Sequence, residues 1–277
     1  MSALLALATT ERGRCDPDEA VIRADDEAVL RGRAAFETLR VYARQPFRLE
    51  AHLDRLFASA ASIALPPLER AELGHLVELV LEDAGNADAT LRLVWTAGSE
   101  GGAATGLALL SVVPDWIEGV RARGSRIVSL LGVRAVVPWL LPGVKSTSYA
   151  VNMAADAEAK RRGADDAIFV DTEGTVLEGT VTNVWWRRGE TLYTPSLELG
   201  ILAGVTRAVV LELAPECGYR VEEGTYPLSD LFLAEEAFTS SSVRELLPIA
   251  DLDGHRLGRG PAADELQAAL RAEARRG

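Results

Sequence analysis

Lysine is scarce in this sequence. Lys145 and Lys160 are the only lysines among 29 lysine and arginine residues in a chain of 277. Arginine cannot form an imine with a carbonyl compound, so a reaction that needs an amine nucleophile has two candidate residues. Lys160 is followed directly by Arg161 and Arg162, a basic cluster typical of a solvated helix end. Lys145 is therefore the better candidate for amine chemistry.

Cysteine and histidine are also few. The two cysteines, Cys15 and Cys217, and the three histidines, His52, His75 and His255, are scattered along the chain. Their spacing does not match a zinc site, a redox-active cysteine pair or a Cys–His nucleophile. We therefore expect that the protein binds no metal ion and uses no thiol chemistry.

Long hydrophobic runs and basic patches are missing as well. No apolar run reaches the roughly 18 residues of a bilayer-spanning helix, and the N-terminal residues lack the basic region of a signal peptide. The formal net charge is −12, and the short basic clusters at 121–126 and 160–162 are followed by acidic or apolar residues. Nucleic-acid binding needs clustered lysine and arginine. We therefore expect a cytoplasmic protein with neither a membrane nor a nucleic acid as partner.

The spacing of apolar residues predicts a mixture of strands and helices. Residues 35–42 are β-branched and aromatic enough for a strand. In residues 50–63, Leu53, Leu56 and Phe57 recur at helical spacing. The other predicted strands lie at the N-terminus and at 47–49, 90–96, 107–113, 127–131, 166–170, 175–177, 183–186 and 237–239, and the other predicted helices at 66–85, 150–162, 203–213 and 264–275.

A polar stretch at 114–124 interrupts this pattern. The chain is long enough for two domains, and a polar break of this kind is typical of a connection between them. The domains that we expect are an N-terminal domain at 1–114, a linker at 115–124 and a C-terminal domain at 125–277.

Three segments carry residues suited to one chemistry. Lys145 lies among apolar and hydroxylated residues, and burial there would lower the pKa of its amine and make it nucleophilic. Glu178 ends a predicted strand, and its carboxylate could keep a pyridine nitrogen protonated. Gly204 precedes a predicted helix, where the N–H groups of Val205 and Thr206 could bind a phosphate. A surface lysine, a turn glutamate and an ordinary helix start are the alternatives.

The order and spacing of these segments resemble the class IV (fold type IV) aminotransferase family, which includes branched-chain aminotransferases, D-amino acid transaminases and aminodeoxychorismate lyases. The blocks that carry the resemblance span about residues 30 to 250 and are Phe36–Arg40, His52–Leu56, Lys145, Glu178-Gly179 with Asn183, Gly204–Arg207 and Phe238–Glu245. The resemblance implies an α+β fold with a small N-terminal α/β domain and a larger C-terminal domain containing a β-barrel-like sheet. It also implies the cofactor pyridoxal 5′-phosphate and a homodimer with active sites near the interface.

The resemblance assigns a cofactor contact to several positions. Lys145 would form the Schiff base with the cofactor and then move the substrate proton. Glu178 would bind the pyridine nitrogen, and Arg55 would bind the phosphate. The other implied contacts are Val205, Thr206 and Ser242 with the phosphate, Leu202 with the ring face and Tyr149 with the phenolic oxygen.

Two arginines are candidates for binding a substrate carboxylate. Arg33 lies in a loop that reaches the neighbouring subunit's site in relatives, and Arg92 lies in a strand that lines the substrate pocket. A pair of guanidinium groups suits a carboxylate, which favours a transaminase acting on an amino acid, in particular a D-amino acid, and a 2-oxo acid. Arg40 and Phe36 are further pocket candidates, although Phe36 replaces a tyrosine of D-amino acid transaminases. Thr90 replaces the tyrosine of the branched-chain Tyr-x-Arg motif.

Thr38 supports a second hypothesis. The Phe36-x-Thr38-x-Arg40 pattern is similar to the lyases that release pyruvate and 4-aminobenzoate from 4-amino-4-deoxychorismate, where the threonine would protonate the departing group. A threonine that merely suits a strand is the alternative. A third hypothesis, a protein that binds the cofactor without turnover, is disfavoured because Lys145 and Glu178 are both present.

Overall fold

The computed structural model describes residues 3–132 and 142–276. The chain divides into two compact units. Unit 1 consists of Met1–Pro114 with Val144–Tyr149, and unit 2 consists of Asp115–Gly143 with Ala150–Arg276. Both contain strands and helices, and the expected α+β fold class is confirmed.

Unit 1 is built on an antiparallel sheet with the strand order β2-β1-β6-β5-β3-β4. Its strands are β1 (Leu4–Thr9), β2 (Gly13–Cys15), β3 (Ala34–Tyr42), β4 (Gln45–Pro46), β5 (Ala89–Thr96) and β6 (Thr105–Val112), and its helices are α1 (Glu27–Arg31), α2 (Leu49–Ser62) and α3 (Arg70–Leu81).

One face of this sheet is covered by helices. Leu39 and Val41 of β3 share an apolar core with Leu53 and Leu56 of α2. Since side chains alternate along a strand, the even-numbered residues of β3 point to the opposite face. The sheet therefore separates a helix-covered core from a face that carries Phe36, Thr38 and Arg40.

Unit 2 is built on a second, mostly antiparallel sheet with the order β12-β11-β10-β13-β14-β7-β8-β9, and β15 pairs with β14. Its strands are β7 (Ser125–Leu131), β8 (Asp166–Val170), β9 (Val176–Gly179), β10 (Asn183–Arg188), β11 (Thr191–Pro195), β12 (Arg220–Gly224), β13 (Glu236–Ser241), β14 (Glu245–Leu252) and β15 (His255–Arg256), and its helices are α4 (Trp116–Arg123), α5 (Ala150–Arg161), α6 (Val205–Leu213), α7 (Leu228–Phe232) and α8 (Ala262–Ala274). The interior includes stacked Trp185 and Phe238, whose ring centroids are 6.1 Å apart.

The segment expected to be a linker is a helix instead. Helix α4 occupies most of 115–124 and buries Ile117 and Val120. The polar residues of this segment do not mark an exposed linker, because Arg121 is buried as well. Its guanidinium donates to the carboxylate of Glu245 at 2.9 Å. This ion pair joins positions far apart in sequence, so the local pattern did not show it.

The position of Lys145 also differs from the expected domain boundaries. The sequence predicts that Lys145 lies in a C-terminal domain at 125–277, whereas the structure assigns Val144–Tyr149 to unit 1. Among the smaller differences, the expected strand at 47–49 is a turn at 47–48 followed by the first residue of α2, and the helix expected at 66–85 is limited to α3. Among the described helices, none is both long enough and apolar enough to cross a membrane.

Candidate functional site

The backbone of the Lys145 segment pairs with the start of β3. The backbone nitrogen of Phe36 donates to the carbonyl oxygen of Lys145 at 3.1 Å, and the backbone nitrogen of Thr147 donates to the carbonyl oxygen of Ala34 at 2.9 Å. On α2, the hydroxyl of buried Ser59 accepts a bond from the nitrogen of Lys145 at 3.2 Å. The segment is therefore held by both the sheet and a helix of unit 1.

Aromatic rings surround the amine of Lys145. Its Nζ lies 4.5 Å from the ring centroid of Phe36 and 5.9 Å from that of Tyr149. The two rings meet edge to face, with centroids 5.3 Å apart. The face of an aromatic ring attracts a cation, so the two rings help to position the half-buried Lys145 side chain.

Thr38 and Arg92 lie on the same sheet face as Phe36. They are register partners on β3 and β5, and Nε of Arg92 donates to Oγ1 of Thr38 at 3.3 Å. The guanidinium carbon of Arg92 lies 5.6 Å from the ring centroid of Phe36. Because the Arg92 side chain is exposed, this face presents an accessible cation that contacts the same ring as the Lys145 amine.

Arg33 and Arg40, the other expected substrate ligands, have structural contacts. Arg33 donates to the Glu27 carboxylate at 2.5 Å and to the carbonyls of Ile63 and Ala64, which lie just after the last residue of α2. Arg40 is buried and donates to Asp88 at 2.8 and 3.2 Å. These contacts place Arg33 at the end of α2 and Arg40 in an ion pair, and the substrate roles expected for both stay predictions.

Arg55 lies in a buried cluster with Glu37 and His52. Its Nε and one terminal nitrogen donate to the two carboxylate oxygens of Glu37, each at 2.7 Å. Nδ1 of His52 lies 2.7 Å from Oε2 of the same carboxylate. The family blocks include Glu37 and His52, but sequence reasoning gave them no role. The signal was present, since a polar residue at 52 falls on the buried face of α2.

In unit 2, two motif side chains hold the backbone of Leu202. The nitrogen of Leu202 donates to Oε2 of buried Glu178 at 3.0 Å. The side-chain amide of Asn183 donates to the carbonyl of Leu202 at 2.9 Å. The Glu-Gly-x-x-x-Asn spacing therefore places an acceptor at the end of β9 for the N–H of Leu202 and a donor at the start of β10 for its carbonyl.

The glycines of these motifs are required by close packing. A Cβ atom at Gly204 would collide with the side-chain oxygen of Asn183, and one at Gly179 would collide with the hydroxyl of Thr182. A side chain at either position would push the segment away from its motif partner. The absence of a side chain at Gly204 thus allows the close approach of Asn183.

Helix α6 presents the expected phosphate-binding groups. It begins at Val205 after Gly204, so the N–H groups of Val205 and Thr206 have no partner within the helix and are oriented toward its N-terminus. The hydroxyls of Thr206 and Ser242 lie 3.5 Å apart. Backbone N–H groups, two hydroxyls and the positive end of a helix form a chemically suitable cradle for a phosphate.

Asp166 holds the segment after Ser242 in place. Arg244 donates to one oxygen of this carboxylate and Thr180 donates to the other, each at 2.5 Å. Asp166 therefore joins the segment after Ser242 to the turn after Glu178. Sequence reasoning missed it, although an aspartate that opens a fully buried strand is a recognisable signal.

Each unit, taken by itself, carries residues whose chemistry suits a part of pyridoxal 5′-phosphate. In unit 1, Lys145 would supply an amine for the aldehyde and Arg55 a donor for the phosphate. In unit 2, buried Glu178 would supply a carboxylate for the ring nitrogen, and the start of helix α6 with its hydroxyls would supply donors for the phosphate.

The comparisons agree with this chemistry. The model of the amino-transferase class IV family matches residues 34–252. The chain is 36% identical over 264 residues to a bifunctional aminodeoxychorismate lyase / D-amino acid transaminase of Mycobacterium tuberculosis, covering 90% of this chain and 91% of the relative. It is 33% identical over 250 residues to a putative branched-chain-amino-acid aminotransferase of Methanocaldococcus jannaschii, covering 86% and 85%.

Solved structures give the same result. A hypothetical aminotransferase from Mycobacterium tuberculosis, in its form with bound alpha-ketoglutarate and PMP, has a TM-score of 0.91 at 33% identity and covers 97% of this chain and 99% of that one. Its PLP-bound form has a TM-score of 0.89 at 34% identity, covering 97% and 98%. The chain therefore belongs to the class IV aminotransferase family, whose fold type IV enzymes bind pyridoxal 5′-phosphate.

Proposed function

We propose that this aminotransferase transfers an amino group between a D-amino acid and a 2-oxo acid. The observation that carries the proposal is the exposed guanidinium of Arg92, which contacts the ring that lies beside the Lys145 amine. Amino acids and 2-oxo acids share a carboxylate next to the reacting carbon, and arginine is the preferred partner of a carboxylate. The name of the relative at 36% identity includes D-amino acid transaminase, which supports this donor class.

Lys145 would bind the aldehyde carbon with loss of water, Glu178 would bind the ring nitrogen and Arg55 would bind the phosphate. The remaining contacts would be Val205, Thr206 and Ser242 with the phosphate, Leu202 with the ring face and Tyr149 with the phenolic oxygen. When bound, pyridoxal 5′-phosphate supplies the electron sink that makes loss of the Cα proton possible.

The protein's own residues orient and move the proton. Once the substrate amine has displaced it from the cofactor, the free Nζ of Lys145 would accept the Cα proton and deliver it to C4′ of the cofactor, and the rings of Phe36 and Tyr149 would limit the access of water to that amine. The bond from the Leu202 nitrogen orients the Glu178 carboxylate. Arg92 binds the substrate carboxylate on the face that carries Phe36.

A second candidate activity is the release of pyruvate and 4-aminobenzoate from 4-amino-4-deoxychorismate. The supporting observation is the bond from Nε of Arg92 to Oγ1 of Thr38. A hydroxyl that accepts such a bond keeps its own proton available for donation to another group. Thr38 is therefore placed to protonate a departing carbon group, and the relative's name includes this lyase activity.

One spectroscopic experiment tests the proposed function. Holoenzyme is mixed with D-alanine or D-glutamate, and the absorbance of the bound cofactor is followed. We expect the band of the pyridoxal form near about 420 nm to be replaced by that of the pyridoxamine form near about 330 nm. Conversion by L-leucine or L-valine, with none by either D-amino acid, would overturn the donor class. Lys145→Ala is the control that should abolish the conversion.

The lyase candidate has its own test. Holoenzyme is incubated with 4-amino-4-deoxychorismate, and release of 4-aminobenzoate is measured by fluorescence. Thr38→Val keeps the shape of the side chain and removes its proton donor. We expect this variant to lose the lyase activity while keeping conversion with D-amino acids, and equal rates for wild type and Thr38→Val would contradict the role of the hydroxyl.

The proposed assembly is a homodimer with active sites near the interface. The family resemblance places the loop of Arg33 near the neighbouring subunit, and the adjacent helix α1 exposes Val29 and Leu30, at 60% and 63% of their surface. Light scattering of the holoenzyme should give twice the 29.7 kDa chain mass. A monomer at micromolar concentration would contradict this assembly.

A further inference from the structure

We propose that Glu37 and His52 are positioning residues that hold Arg55 in the orientation required to bind the cofactor's phosphate. This inference rests on the proposed role of Arg55 as a phosphate ligand. Neither Glu37 nor His52 would touch the cofactor in this arrangement. Each acts through the guanidinium of Arg55, and their removal should therefore weaken the binding of the phosphate group in particular.

The burial of Glu37 is the first observation. The side chain of Glu37 is 0% exposed and that of His52 is 1% exposed, whereas Arg55 is 13% exposed. A carboxylate in an apolar interior is unfavourable, and a buried ion pair is often no more stable than apolar residues of the same size. A buried ion pair is therefore weak evidence for a purely stabilising role, and this one ends at a partly accessible cation.

The geometry restricts Arg55 to one plane. Its Nε and one terminal nitrogen bond to the two oxygens of Glu37, each at 2.7 Å. Two parallel bonds of this kind define both the position and the plane of a guanidinium group, which a single bond would leave able to rotate. His52 lies 2.7 Å from Oε2 and so restrains the carboxylate that restrains Arg55.

The protonation states are consistent with this arrangement. Burial raises the pKa of Glu37, but the bonds from Arg55 and His52 outweigh it and lower that pKa to about 2. Burial lowers the pKa of His52 and, together with the positive charges of Arg55 and Lys145, outweighs the contact with Glu37, which raises it. Glu37 is therefore ionised, and neutral His52 must donate its Nδ1 proton, because an ionised carboxylate only accepts.

Helix α2 connects this cluster to the reactive amine. His52, Arg55 and Ser59 are spaced three and four residues apart, which places them on one face of the helix. Ser59 accepts the bond from the Lys145 nitrogen at 3.2 Å. Glu37, on the neighbouring strand β3, bonds to His52 and to Arg55. The same helix face thus presents the phosphate ligand and supports the backbone of the lysine.

The test compares two forms of the cofactor. Apoenzyme is titrated with pyridoxal 5′-phosphate and with pyridoxal, which lacks the phosphate, and the ratio of the two dissociation constants is measured. We expect Glu37→Gln to weaken binding of the phosphorylated form by about tenfold or more, the usual range when an orienting partner is lost, and to leave pyridoxal within about twofold. His52→Leu should have a similar effect. His52→Asn, whose amide can replace the Nδ1 donor, should restore the wild-type ratio.

Controls separate positioning from a general loss of structure. Glu236→Gln removes another buried carboxylate that is held by an arginine, Arg187, at 2.9 Å, and should leave the ratio unchanged. If Glu37→Gln does not fold, the His52→Leu and His52→Asn pair carries the test. An equal loss of affinity for both cofactor forms, or no rescue by His52→Asn, would overturn the positioning role. If Arg55→Lys gives the same ratio of dissociation constants as the wild type, the proposed role of Arg55 as a phosphate ligand is wrong.

Discussion

The carbonyl oxygen of Lys145 accepts a hydrogen bond from the backbone nitrogen of Phe36 at 3.1 Å. The lysine is thus anchored to the strand whose side chains line the proposed substrate face, and its Nζ lies over the ring of the same residue. Anchoring at both backbone and side chain limits the positions that the amine can take.

Ser59 supports the Lys145 backbone and should affect catalysis without touching substrate. Ser59→Ala removes the acceptor of the bond at 3.2 Å, and loss of a buried acceptor typically costs about 1–3 kcal/mol. We expect a lower kcat with little change in KM. Ser62→Ala is the matched control on the same helix, because the exposed hydroxyl of Ser62 donates to the carbonyl of Ala58 within that helix. Equal kcat values for the two variants would contradict the prediction.

Gly204 should not tolerate even a methyl group. Gly204→Ala places a Cβ against the side-chain oxygen of Asn183, and overpacking of this kind typically costs about 1–3 kcal/mol. We expect a lower free energy of unfolding and weaker cofactor binding. Gly119→Ala is the contrasting variant, since a Cβ there meets nothing within 4 Å and alanine favours a helix by up to about 1 kcal/mol. Urea unfolding of both variants should show changes of opposite sign.

Glu37 should make stability depend on pH in the acid range. Its pKa is lowered from 4.5 to about 2 in the folded chain. A lowered carboxyl pKa stabilises the fold above the unfolded value, and this contribution is lost as pH falls from about 4.5 towards 2. A shift of this size corresponds to about 3 kcal/mol. Urea unfolding between pH 3 and pH 7 should therefore show a steeper acid loss for wild type than for Glu37→Gln, and parallel curves would contradict it.

Arg92 should determine how tightly a carboxylate substrate binds. Arg92→Ala removes the accessible guanidinium, and a charge-assisted bond is worth about 1.5–3 kcal/mol, which corresponds to a rise in KM of roughly tenfold or more. Arg33→Ala is the comparison, because Arg33 contacts Glu27 and the residues after α2. We expect Arg33→Ala to lower the melting temperature more than it raises KM. The reverse pattern in steady-state kinetics would return Arg33 to the substrate site.

The local parts of the fold could be predicted from the sequence. Helix α2 and strands β3 and β5 begin and end within one residue of their predicted bounds, because their hydrophobic spacing is a local property. The parts that failed depend on distant partners. Helix α4 looked like a linker because the residue that neutralises Arg121, Glu245, is remote in sequence. The assignment of Val144–Tyr149 to unit 1 depends on pairing with β3 in the same way.

The candidate site shows the same division. The family blocks identified Lys145, Glu178 and Gly204, whose surroundings follow from motif spacing. They did not show that Arg33 would form an ion pair with Glu27. The local sequence does not distinguish an arginine in a pocket from an arginine at the end of a helix. The inward orientation of Glu37 likewise depends on which face of β3 is covered by α2.

Leu202 is held through its backbone, with its nitrogen bonded to Glu178 and its carbonyl bonded to Asn183. Its side chain takes no part in either bond. Position 202 is therefore open to variation in laboratory evolution. A new side chain there would change the proposed contact with the cofactor ring and leave both backbone bonds of residue 202 in place. Positions 178 and 183 lack this freedom and are best left constant when a library is built around them.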